Sequence, residues 1–303
     1  MRSFSEYKNI LQKKGWYVCW KELKKKVCPI WFTHNRGAID QIEAERTYNY
    51  LKKTYSKVYM QEVQTNFSSE HPRIIWICWL QGRDLAPAIV QKCIESVEKY
   101  AKEFEIKILT EDNILDYITI PEPIIDKYKL GKIQFTQFSD ILRSCLLYEH
   151  GGIWMDSTVL LTDKLPNYIK DSSFFVYRTS MLNHIYHAAS SWLISADKGH
   201  PIMKLCRDAL FAYWSKEIYL KNYYIFHIFF YLIVNENPVC KDLFDQMPYI
   251  PNVEVHTLQF SFGRPFSEKK YKNITERSSV HKLTYKYSNN IDYTNTFLSY
   301  LLS

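Results

Sequence analysis

Short apolar runs and amphipathic segments alternate along the chain from residue 72 onward. Ile74–Trp79 is continuously apolar, which is typical of a strand buried on both faces. Ala88–Phe104 has the spacing of an amphipathic helix, and Glu105–Thr110 follows as a second strand. A strand, a helix and a strand in direct succession predict a parallel crossover, so we expect an α/β sheet.

Residues 1–68 look helical and rather polar, and they are predicted to form an N-terminal extension ahead of one α/β domain over residues 69–303. Phe4, Tyr7 and Leu11 share one helical face. A second apolar face follows Gly15 and comprises Trp16, Trp20, Leu23 and Val27. Basic residues lie between these faces, namely Lys13, Lys14, Lys21, Lys24, Lys25 and Lys26. Such a segment either packs against the main domain with its lysines in water or docks on an anionic lipid surface, and both interpretations stay open.

The composition supports one large folded domain, because 47% of the 303 residues are hydrophobic and 23% are charged. A net charge of +7 is modest. It suits an anionic small substrate or an anionic membrane surface, and it gives no argument for nucleic-acid binding. Aromatic residues make up 16% of the chain. This content suits clefts that stack sugars or bases, but compositional drift toward Lys, Asn, Ile and Tyr would produce it as well.

Cysteine spacing, the N-terminus and the most apolar segment bear on location. The seven cysteines are scattered and form no CxxC pair, so we expect reduced thiols in a cytoplasmic protein. The first residues lack the apolar core of a signal peptide. The run Tyr223–Val234 falls short of the roughly 20 residues that a membrane span needs, so it is predicted to be a buried helix. We interpret His227 within it as a core residue rather than a ligand.

The segment over residues 137–161 carries the candidate chemistry. Its first half has helical spacing, with Asp140 and Arg143 on the same side of the helix, where they can act together. The Gly151-Gly152 pair is predicted to end this helix, because glycine readily takes the left-handed cap conformation. The apolar, β-branched run Ile153–Leu161 is predicted to be a strand.

Asp156 and Thr158 are two residues apart on the predicted strand and so would project to the same face. A carboxylate beside a hydroxyl offers hard oxygens suited to Mn²⁺ or Mg²⁺, which bind protein carboxylates together with substrate phosphates. Such an ion would stabilise a diphosphate leaving group, and Asp140 and Arg143 would contact sugar or phosphate oxygens beside it. The same spacing also fits a structural arrangement, in which Asp140 caps the helix and pairs with Arg143 while Asp156 lies in a turn.

Ser139–Arg143 followed by Gly151–Thr158 resembles the signature of the sugar-transferring, DxD-containing glycosyltransferases. Glycosyltransferase family 32, the bacterial capsular polysaccharide synthesis proteins and the large clostridial glucosylating toxins share that signature. Pro72–Trp79 looks like their first strand. Further segments resemble the capsular-synthesis branch, namely Ser190–Ile194, Gly199–Ile202, Tyr224–His227 and Val280–Thr284. The resemblance covers residues 72 to 286.

This resemblance implies a nucleotide-diphospho-sugar transferase fold of the GT-A type, which is Rossmann-like, with residues 69–303 as the catalytic domain. It implies that Asp140 contacts the ribose or donor sugar, that Arg143 contacts the donor sugar or phosphate and that Asp156 holds Mn²⁺ or Mg²⁺. Relatives carry a second Asp where this chain has Thr158, and a hydroxyl is the weaker metal ligand. Either metal affinity falls or another group completes the shell. His281 is the candidate for that group, because related enzymes bring a C-terminal residue onto the metal or diphosphate, and an ordinary core or surface histidine is the alternative.

The same resemblance points to further substrate contacts. Trp79 would lie beside the nucleotide base, and Asn113 matches a position that the family often fills with Asn. Trp192 would line the acceptor pocket, and Lys282 would neutralise the diphosphate. Ordinary structural roles are the alternatives: Asn113 as a helix cap, Trp192 as a buried core residue and Lys282 as a solvated side chain.

The expected function is that of a metal-dependent bacterial hexosyltransferase. It would move a hexose-type sugar from a nucleotide diphosphate sugar, UDP-linked, to a glycan or lipid-linked oligosaccharide acceptor in capsular or surface polysaccharide synthesis, with retention of anomeric configuration. It would act in the cytoplasm, at or near the inner face of the cell membrane, with no nucleic-acid partner. Two alternatives stay open. One is a non-catalytic sugar-nucleotide or glycan-binding protein, motivated by Thr158, and the other is a glucosylating effector that acts on protein.

Overall fold

The structure is a computed structural model of the chain, and it describes residues 4–27, 36–65, 67, 71–179, 186–288 and 291–303. Within its first helices, the side chains at positions 4, 13, 14, 16–18, 21, 24–27 and 36 are outside that description. The six lysines of the predicted basic face therefore lie outside the described side chains, as do Phe4, Trp16 and Val27 of the predicted apolar faces. The choice between packing and lipid docking for this face stays open.

The described helices are α1 (Phe4–Val27), α2 (Arg36–Thr54), α3 (Ser56–Tyr59), α4 (Ala88–Tyr100), α5 (Ile114–Tyr117), α6 (Glu122–Lys129), α7 (Phe135–Glu149), α8 (Asn167–Lys170), α9 (Pro201–Lys216), α10 (Ile225–Glu236), α11 (Pro238–Gln246), α12 (Glu268–Arg277) and α13 (Phe297–Leu302). The described strands are β1 (Ile74–Cys78), β2 (Glu105–Leu109), β3 (Gly152–Met155), β4 (Val159–Leu161), β5 (Phe174–Arg178), β6 (Ala189–Ala196) and β7 (Val280–Lys282). Single 3₁₀ turns occur at Arg83–Leu85, Glu254–His256 and Gln259–Ser261.

A five-stranded sheet of order β2-β1-β3-β6-β5 forms the centre of the molecule. β1 pairs in parallel with both β2 and β3, whereas β6 runs antiparallel to β3 and to β5. The predicted parallel crossover from β1 through α4 to β2 is confirmed, with the helix ending at Tyr100 rather than Phe104. Ile75–Cys78 of β1 are all buried, which explains why this strand is apolar without alternation. The predicted α/β class is confirmed.

The N-terminal helices pack against the C-terminal half of the chain. α1 is kinked at Gly15, whose φ of 82° is non-helical. Tyr55, which follows α2, is buried, and its ring lies edge-on to Phe229 of α10 with the ring centroids 5.5 Å apart. The Asn237 side chain donates a hydrogen bond to the Tyr59 carbonyl oxygen at 3.1 Å. These contacts give the extension a share of the main core, and a domain boundary after residue 68 stays a prediction.

Residues 225–234 of the apolar run predicted to be a buried helix lie in α10, and their aliphatic and Phe side chains are buried, whereas Tyr223 precedes the helix and is exposed. His227 lies on this helix, and its ring stacks on that of His187 with the centroids 4.7 Å apart. No helix in the described part of the chain is long and apolar enough to cross a bilayer.

Two glycines allow β3 to pass close to neighbouring backbone. Gly151 and Gly152 have φ values of 72° and 91°, in the left-handed region. A Cβ at Gly152 would lie 2.5 Å from the carbonyl oxygen of Ile74, and one at Gly151 would lie 2.6 Å from the backbone nitrogen of Lys198. α7 ends at Glu149, just before the pair, as predicted. The glycines are therefore required by close packing as well as by backbone conformation.

The prediction of one strand from Ile153 to Leu161 is wrong. β3 ends at Met155, and β4 begins at Val159 and pairs with β7 in a separate two-stranded sheet. Between the strands, the Val159 N–H donates to the Asp156 carbonyl oxygen at 3.0 Å and closes a turn. Asp, Ser and Thr favour turns because their side chains hydrogen-bond to nearby backbone, and this local signal outweighs the apolar pattern.

The close approach at Gly152 can be tested against a second left-handed glycine. Gly82 has a φ of 82°, but a Cβ there would meet nothing within 4 Å. We expect Gly152→Ala to lower the free energy of unfolding by roughly 2 kcal/mol more than Gly82→Ala. Both substitutions strain the backbone, but only the first also displaces the carbonyl group of Ile74. Urea unfolding of the two variants measures the difference. Equal losses would show that β3 can move away from β1 at no cost.

Candidate active site

The predicted site residues gather at one edge of the central sheet. Trp79 directly follows β1 and Asp156 directly follows β3, and these two strands are parallel. Asn113 lies in the turn after β2, which is parallel to β1. In open α/β sheets, ligands bind beyond the carboxyl ends of parallel strands. The fold therefore places all three residues where a ligand is expected.

α7 brings Asp140 and Arg143 to Asp156. Arg143 Nη1 lies 3.2 Å from Asp140 Oδ1, and Arg143 Nη2 lies 3.8 Å from Asp156 Oδ1. Asp140 and Arg143 are both buried. Because α7 begins at Phe135, Asp140 lies inside the helix and does not cap it. The three residues that the sequence singles out thus form one cluster.

The guanidinium of Arg143 is held in place from several directions. Its Nε donates to the Ser139 carbonyl oxygen at 3.2 Å, and its Nη1 donates to the Ser191 carbonyl oxygen at 2.9 Å. The guanidinium carbon lies 5.1 Å from the centroid of the Trp154 ring. Since Ser191 belongs to β6 and Trp154 to β3, this side chain ties α7 to two strands of the sheet.

The Asp156 carboxylate is fixed by neutral and charged donors. Its Oδ1 accepts a hydrogen bond from Trp154 Nε1 at 3.0 Å, and its Oδ2 lies 3.0 Å from Lys282 Nζ. Burial raises the pKa of Asp156, but the charges of Lys282 and Arg143 and these hydrogen bonds outweigh burial and hold the pKa below its ordinary value. The side chain keeps 29% of its surface exposed. Asp156 is therefore an ionised carboxylate that remains accessible.

The pairing of β4 with β7 places Lys282 next to Asp156. Lys282 of β7 lies opposite Val159 of β4, and the Leu283 N–H donates to the Thr158 carbonyl oxygen at 2.8 Å. Lys282 Nζ then donates to Thr158 Oγ1 at 2.5 Å as well as to Asp156. The alternative that Lys282 is merely a solvated side chain is wrong. Asp156 and Thr158 do come together, though through a turn rather than along one strand.

Asp140 has a different environment from Asp156. Burial raises the pKa of Asp140 to about 7, the charge of Arg143 opposes that rise, and the charge of Asp156 adds to it. Neither Asp140 nor Arg143 is among the residues that line the adjacent cleft. The predicted contacts of Asp140 and Arg143 with a donor sugar or phosphate stay predictions.

The structure does not bring His281 to this cluster. His281 precedes Lys282 on β7, and successive residues of a strand face opposite sides. Its Nε2 lies 3.1 Å from Thr162 Oγ1, and the residue is fully buried. Burial lowers its pKa to about 4, so the imidazole is neutral at physiological pH. The alternative interpretation of His281, a core histidine, matches this placement.

The remaining predicted residues have structural contacts. Asn113 accepts a hydrogen bond from the Thr110 N–H at 2.9 Å and donates to the Ile108 carbonyl oxygen at 3.0 Å, so it braces the end of β2 without capping α5. Trp192 is buried and stacks on Tyr177 with the centroids 5.1 Å apart. Trp79 lies edge-on to Tyr285 with the centroids 5.4 Å apart. Their predicted roles in substrate binding stay predictions.

A cleft of about 810 Å³ opens beside the cluster, and Asp156, Thr158 and Lys282 line it. Sequence reasoning missed most of its other walls, which include Tyr223, Asn252, His256, Phe260 and Tyr285. Tyr285 belongs to the segment that follows β7, so the Val280–Thr284 match was a signal that pointed toward it. His256 and Phe260 lie on or beside short 3₁₀ turns, which leave no periodic pattern.

The oxygen atoms of Asp156 and Thr158 are a poor ligand set for the divalent metal that the sequence predicts. Mn²⁺ and Mg²⁺ need several oxygen ligands, and protein carboxylates supply most of the charge. Here one carboxylate and one hydroxyl converge, and the ammonium of Lys282 already contacts both. Across the described residues, no group of three or more His, Cys, Asp or Glu side chains is placed to hold a metal. Metal dependence stays a prediction, and these residues do not support it.

The raised pKa of Asp140 predicts a pH-dependent contribution to stability. The folded protein binds the Asp140 proton more tightly than the unfolded chain, so this contribution falls as pH rises from about 4 to about 7. It amounts to on the order of 4 kcal/mol across that window. Buried histidines oppose the trend there, so the informative quantity is the difference in unfolding free energy between wild type and Asp140→Asn at each pH. That difference should decline with rising pH.

The matched control is Asp84→Asn, which removes an exposed carboxylate from a surface turn. Its difference from wild type should stay nearly flat over the same pH range. A flat profile for Asp140→Asn as well would show that Asp140 is ionised throughout, held by Arg143.

Comparison with known proteins gives several similarities. An uncharacterized glycosyltransferase of Acanthamoeba polyphaga mimivirus is 25% identical over 156 residues, which are 50% of this chain and 57% of that protein. This chain therefore spans little more than half the length of that relative. Among solved structures, the PaToxG glycosyltransferase has a TM-score of 0.40 at 15% identity, covering 69% of this chain and 83% of its own. A transferase with two Cys-to-Ser substitutions has a TM-score of 0.36 at 11% identity, covering 63% and 98%.

The family model described as capsular polysaccharide synthesis protein matches residues 28–301. That range contains the whole sheet, the Asp140, Arg143 and Asp156 cluster, and Lys282. The family resemblance noted in the sequence is thereby confirmed, and the α/β sheet is in keeping with the GT-A-type fold that it implies. The chain belongs to the capsular polysaccharide synthesis protein family.

Proposed function

We propose that this protein is a glycosyltransferase that moves a hexose-type sugar from a nucleotide diphosphate donor, UDP-linked, to a hydroxyl of a growing capsular or surface glycan. The observation that carries the proposal is the charged cluster of Asp156, Lys282 and Arg143 beside an open cleft, in a chain of this family. Asp156, just after the carboxyl end of the parallel strand β3, lines the cleft, and α/β proteins bind nucleotides at such strand ends.

The cluster supplies what departure of a diphosphate requires. A leaving diphosphate gains negative charge, and preorganised cations beside it lower the barrier to its departure. The Lys282 side chain is 18% exposed and lines the cleft, so its ammonium can reach a phosphate oxygen. Arg143 lies behind Asp156 and adds positive charge to the same region. Asp156 keeps Lys282 oriented through their 3.0 Å contact.

Aromatic side chains around the cleft suit the organic parts of both substrates. Tyr223, Phe260 and Tyr285 line the cleft and are exposed. Exposed rings of this kind stack on sugar faces and on bases. Trp79 packs against Tyr285 at the end of β1, so we assign this side of the cleft to the nucleotide base. The side lined by Tyr223 and Phe260 is then left for the glycan acceptor.

The acceptor in this proposal is a glycan or a lipid-linked oligosaccharide at the inner face of the cell membrane. The net charge of +7 supports peripheral association of a cytoplasmic enzyme with an anionic membrane surface. Transfer retains the anomeric configuration, as the family resemblance implies. Nucleic acid has no part in the proposal.

The decisive measurement is nucleotide release from a panel of UDP-, GDP- and dTDP-linked hexoses, with Mn²⁺ present so that turnover is recorded whether or not a metal is used. We expect turnover with a UDP-linked hexose. Asp156→Asn should reduce kcat by roughly 100-fold, because Lys282 loses the carboxylate that orients it toward the departing diphosphate.

Asp163→Asn is the matched control, since it removes an exposed carboxylate a few residues further along the chain. It should leave kcat unchanged. Tight binding of nucleotide sugars without any release would identify a non-catalytic sugar-nucleotide-binding protein instead. Transfer to protein acceptors but to no glycan would point to the effector alternative.

A further inference from the structure

The oxygen atoms of Asp156 and Thr158 converge on one point, and that point is occupied by a cation of the protein itself. Lys282 Nζ lies 3.0 Å from Asp156 Oδ2 and 2.5 Å from Thr158 Oγ1. A carboxylate and a hydroxyl converging in this way are the contacts that a Mn²⁺ or Mg²⁺ ion would make. The contacts of Lys282 therefore compete directly with those of a divalent metal.

The fold positions this ammonium. β7 pairs with β4 so that Lys282 lies opposite Val159, one residue beyond Thr158. The hydrogen bond from the Leu283 N–H to the Thr158 carbonyl oxygen closes the pairing at the turn. The backbone of Lys282 is thereby held next to the turn that carries Asp156. Because Asp156 and Thr158 also hold its ammonium, the Lys282 side chain needs little reorganisation to contact a ligand in the cleft.

The charges are already balanced without a metal. Asp156 carries one negative charge, and two cations already face it, Lys282 Nζ at 3.0 Å and Arg143 Nη2 at 3.8 Å. A site with two free carboxylates would balance a divalent ion, but Thr158 supplies only a neutral oxygen. A divalent ion bound to Asp156 and Thr158 would have to displace the ammonium or lie against it, with strong repulsion at such a short distance.

Lys282 also has a donor to spare. A lysine ammonium has three N–H groups, and the contacts to Asp156 and Thr158 use two of them. No acceptor among the described residues takes the third, so it is available to a ligand in the cleft that Lys282 lines. Phosphate oxygens are the acceptors that lysine binds as a point charge. The arrangement thus matches an oxyanion rather than a second cation.

We propose that the Lys282 ammonium takes the place of a divalent cation on the donor diphosphate, so that sugar transfer by this protein needs no metal. The proposal rests on the glycosyltransferase function proposed above. In the transfer step, the bond between the anomeric carbon and the phosphate oxygen breaks, and its electron pair stays on that oxygen, beside Lys282. The acceptor hydroxyl oxygen bonds to the anomeric carbon, and its proton passes to the departing diphosphate.

The first test compares nucleotide release by the full chain in EDTA and in Mn²⁺. We expect the two rates to agree within about twofold, because the charge on the diphosphate is met by lysine. A loss of activity of more than about tenfold in EDTA, restored by Mn²⁺, would overturn the proposal. If no donor is turned over even with Mn²⁺, the glycosyltransferase function fails, and the binding measurements below still decide the role of Lys282.

The second test measures UDP binding by calorimetry in EDTA. Lys282→Met keeps the length of the side chain and removes its charge, so it should weaken UDP binding by about tenfold or more. Lys164→Met, in an exposed loop, controls for the loss of one positive charge and should bind UDP as wild type does. Equal affinities for wild type and Lys282→Met would show that the diphosphate does not use this lysine.

The third test converts the site to one that holds a metal. Thr158→Asp combined with Lys282→Met places two carboxylates side by side and removes the ammonium. This double variant should bind Mn²⁺ at least about tenfold more tightly than wild type, measured by electron paramagnetic resonance of free Mn²⁺ with circular dichroism to verify folding. Mn²⁺ binding by wild type as tight as that of the folded double variant would overturn the proposal.

Discussion

The buried guanidinium of Arg143 lies between two carboxylates, and the placement of the other charged groups in the site follows from it. A buried cation without partners is costly, so Asp140 and Asp156 must both stay close to it. The carbonyl oxygens of Ser139 and Ser191 take further donors of the same side chain. Helix α7, the end of β3 and the middle of β6 are therefore held in one fixed relation. The contact between Arg143 and Asp156 helps to position the turn that carries Asp156.

The surroundings of Asp140 and Asp156 shift the pKa values of these two carboxyl groups in opposite directions. Asp140 is enclosed beside Arg143, and burial raises its pKa to about 7. Asp156 meets two cations and an indole N–H, which hold its pKa below the ordinary value, and it faces the cleft. Carboxyl groups whose pKa values are pushed apart in this way take different tasks. Asp140 contacts the guanidinium of Arg143 away from the cleft. Asp156 lines the cleft and holds the Lys282 ammonium there.

Periodicity was enough to predict the features that depend on neighbours in sequence. The apolar run at β1 predicted a buried strand, and helical spacing placed Asp140 and Arg143 on one side of α7. The break at Asp156–Thr158 was missed because a three-residue turn interrupts a run that is apolar on both sides. Periodicity also gave no sign that His256 and Phe260 line the cleft, since they belong to irregular backbone.

The family resemblance added candidate site residues that periodicity could not predict, but it did not predict their contacts. It pointed to Lys282 as a contact for diphosphate, whereas its contact with Asp156 and Thr158 depends on strand pairing between distant segments. It pointed equally to His281, one residue earlier. The alternation of side chains along β7 separates the two, because Lys282 faces the cleft and His281 faces the core. Tertiary structure was needed to choose between them.

The pairing of β4 with β7 joins residues that are 126 positions apart, Asp156 and Lys282. Contacts this remote form late, since the intervening chain must first be ordered. During translation, the central sheet and α7 can be complete while the ribosome is still adding the segment that contains the ammonium. An unfinished chain would then carry Asp156 without the ammonium that the finished fold places 3.0 Å away. In such a nascent protein this wall of the cleft is assembled only once β7 has docked on β4.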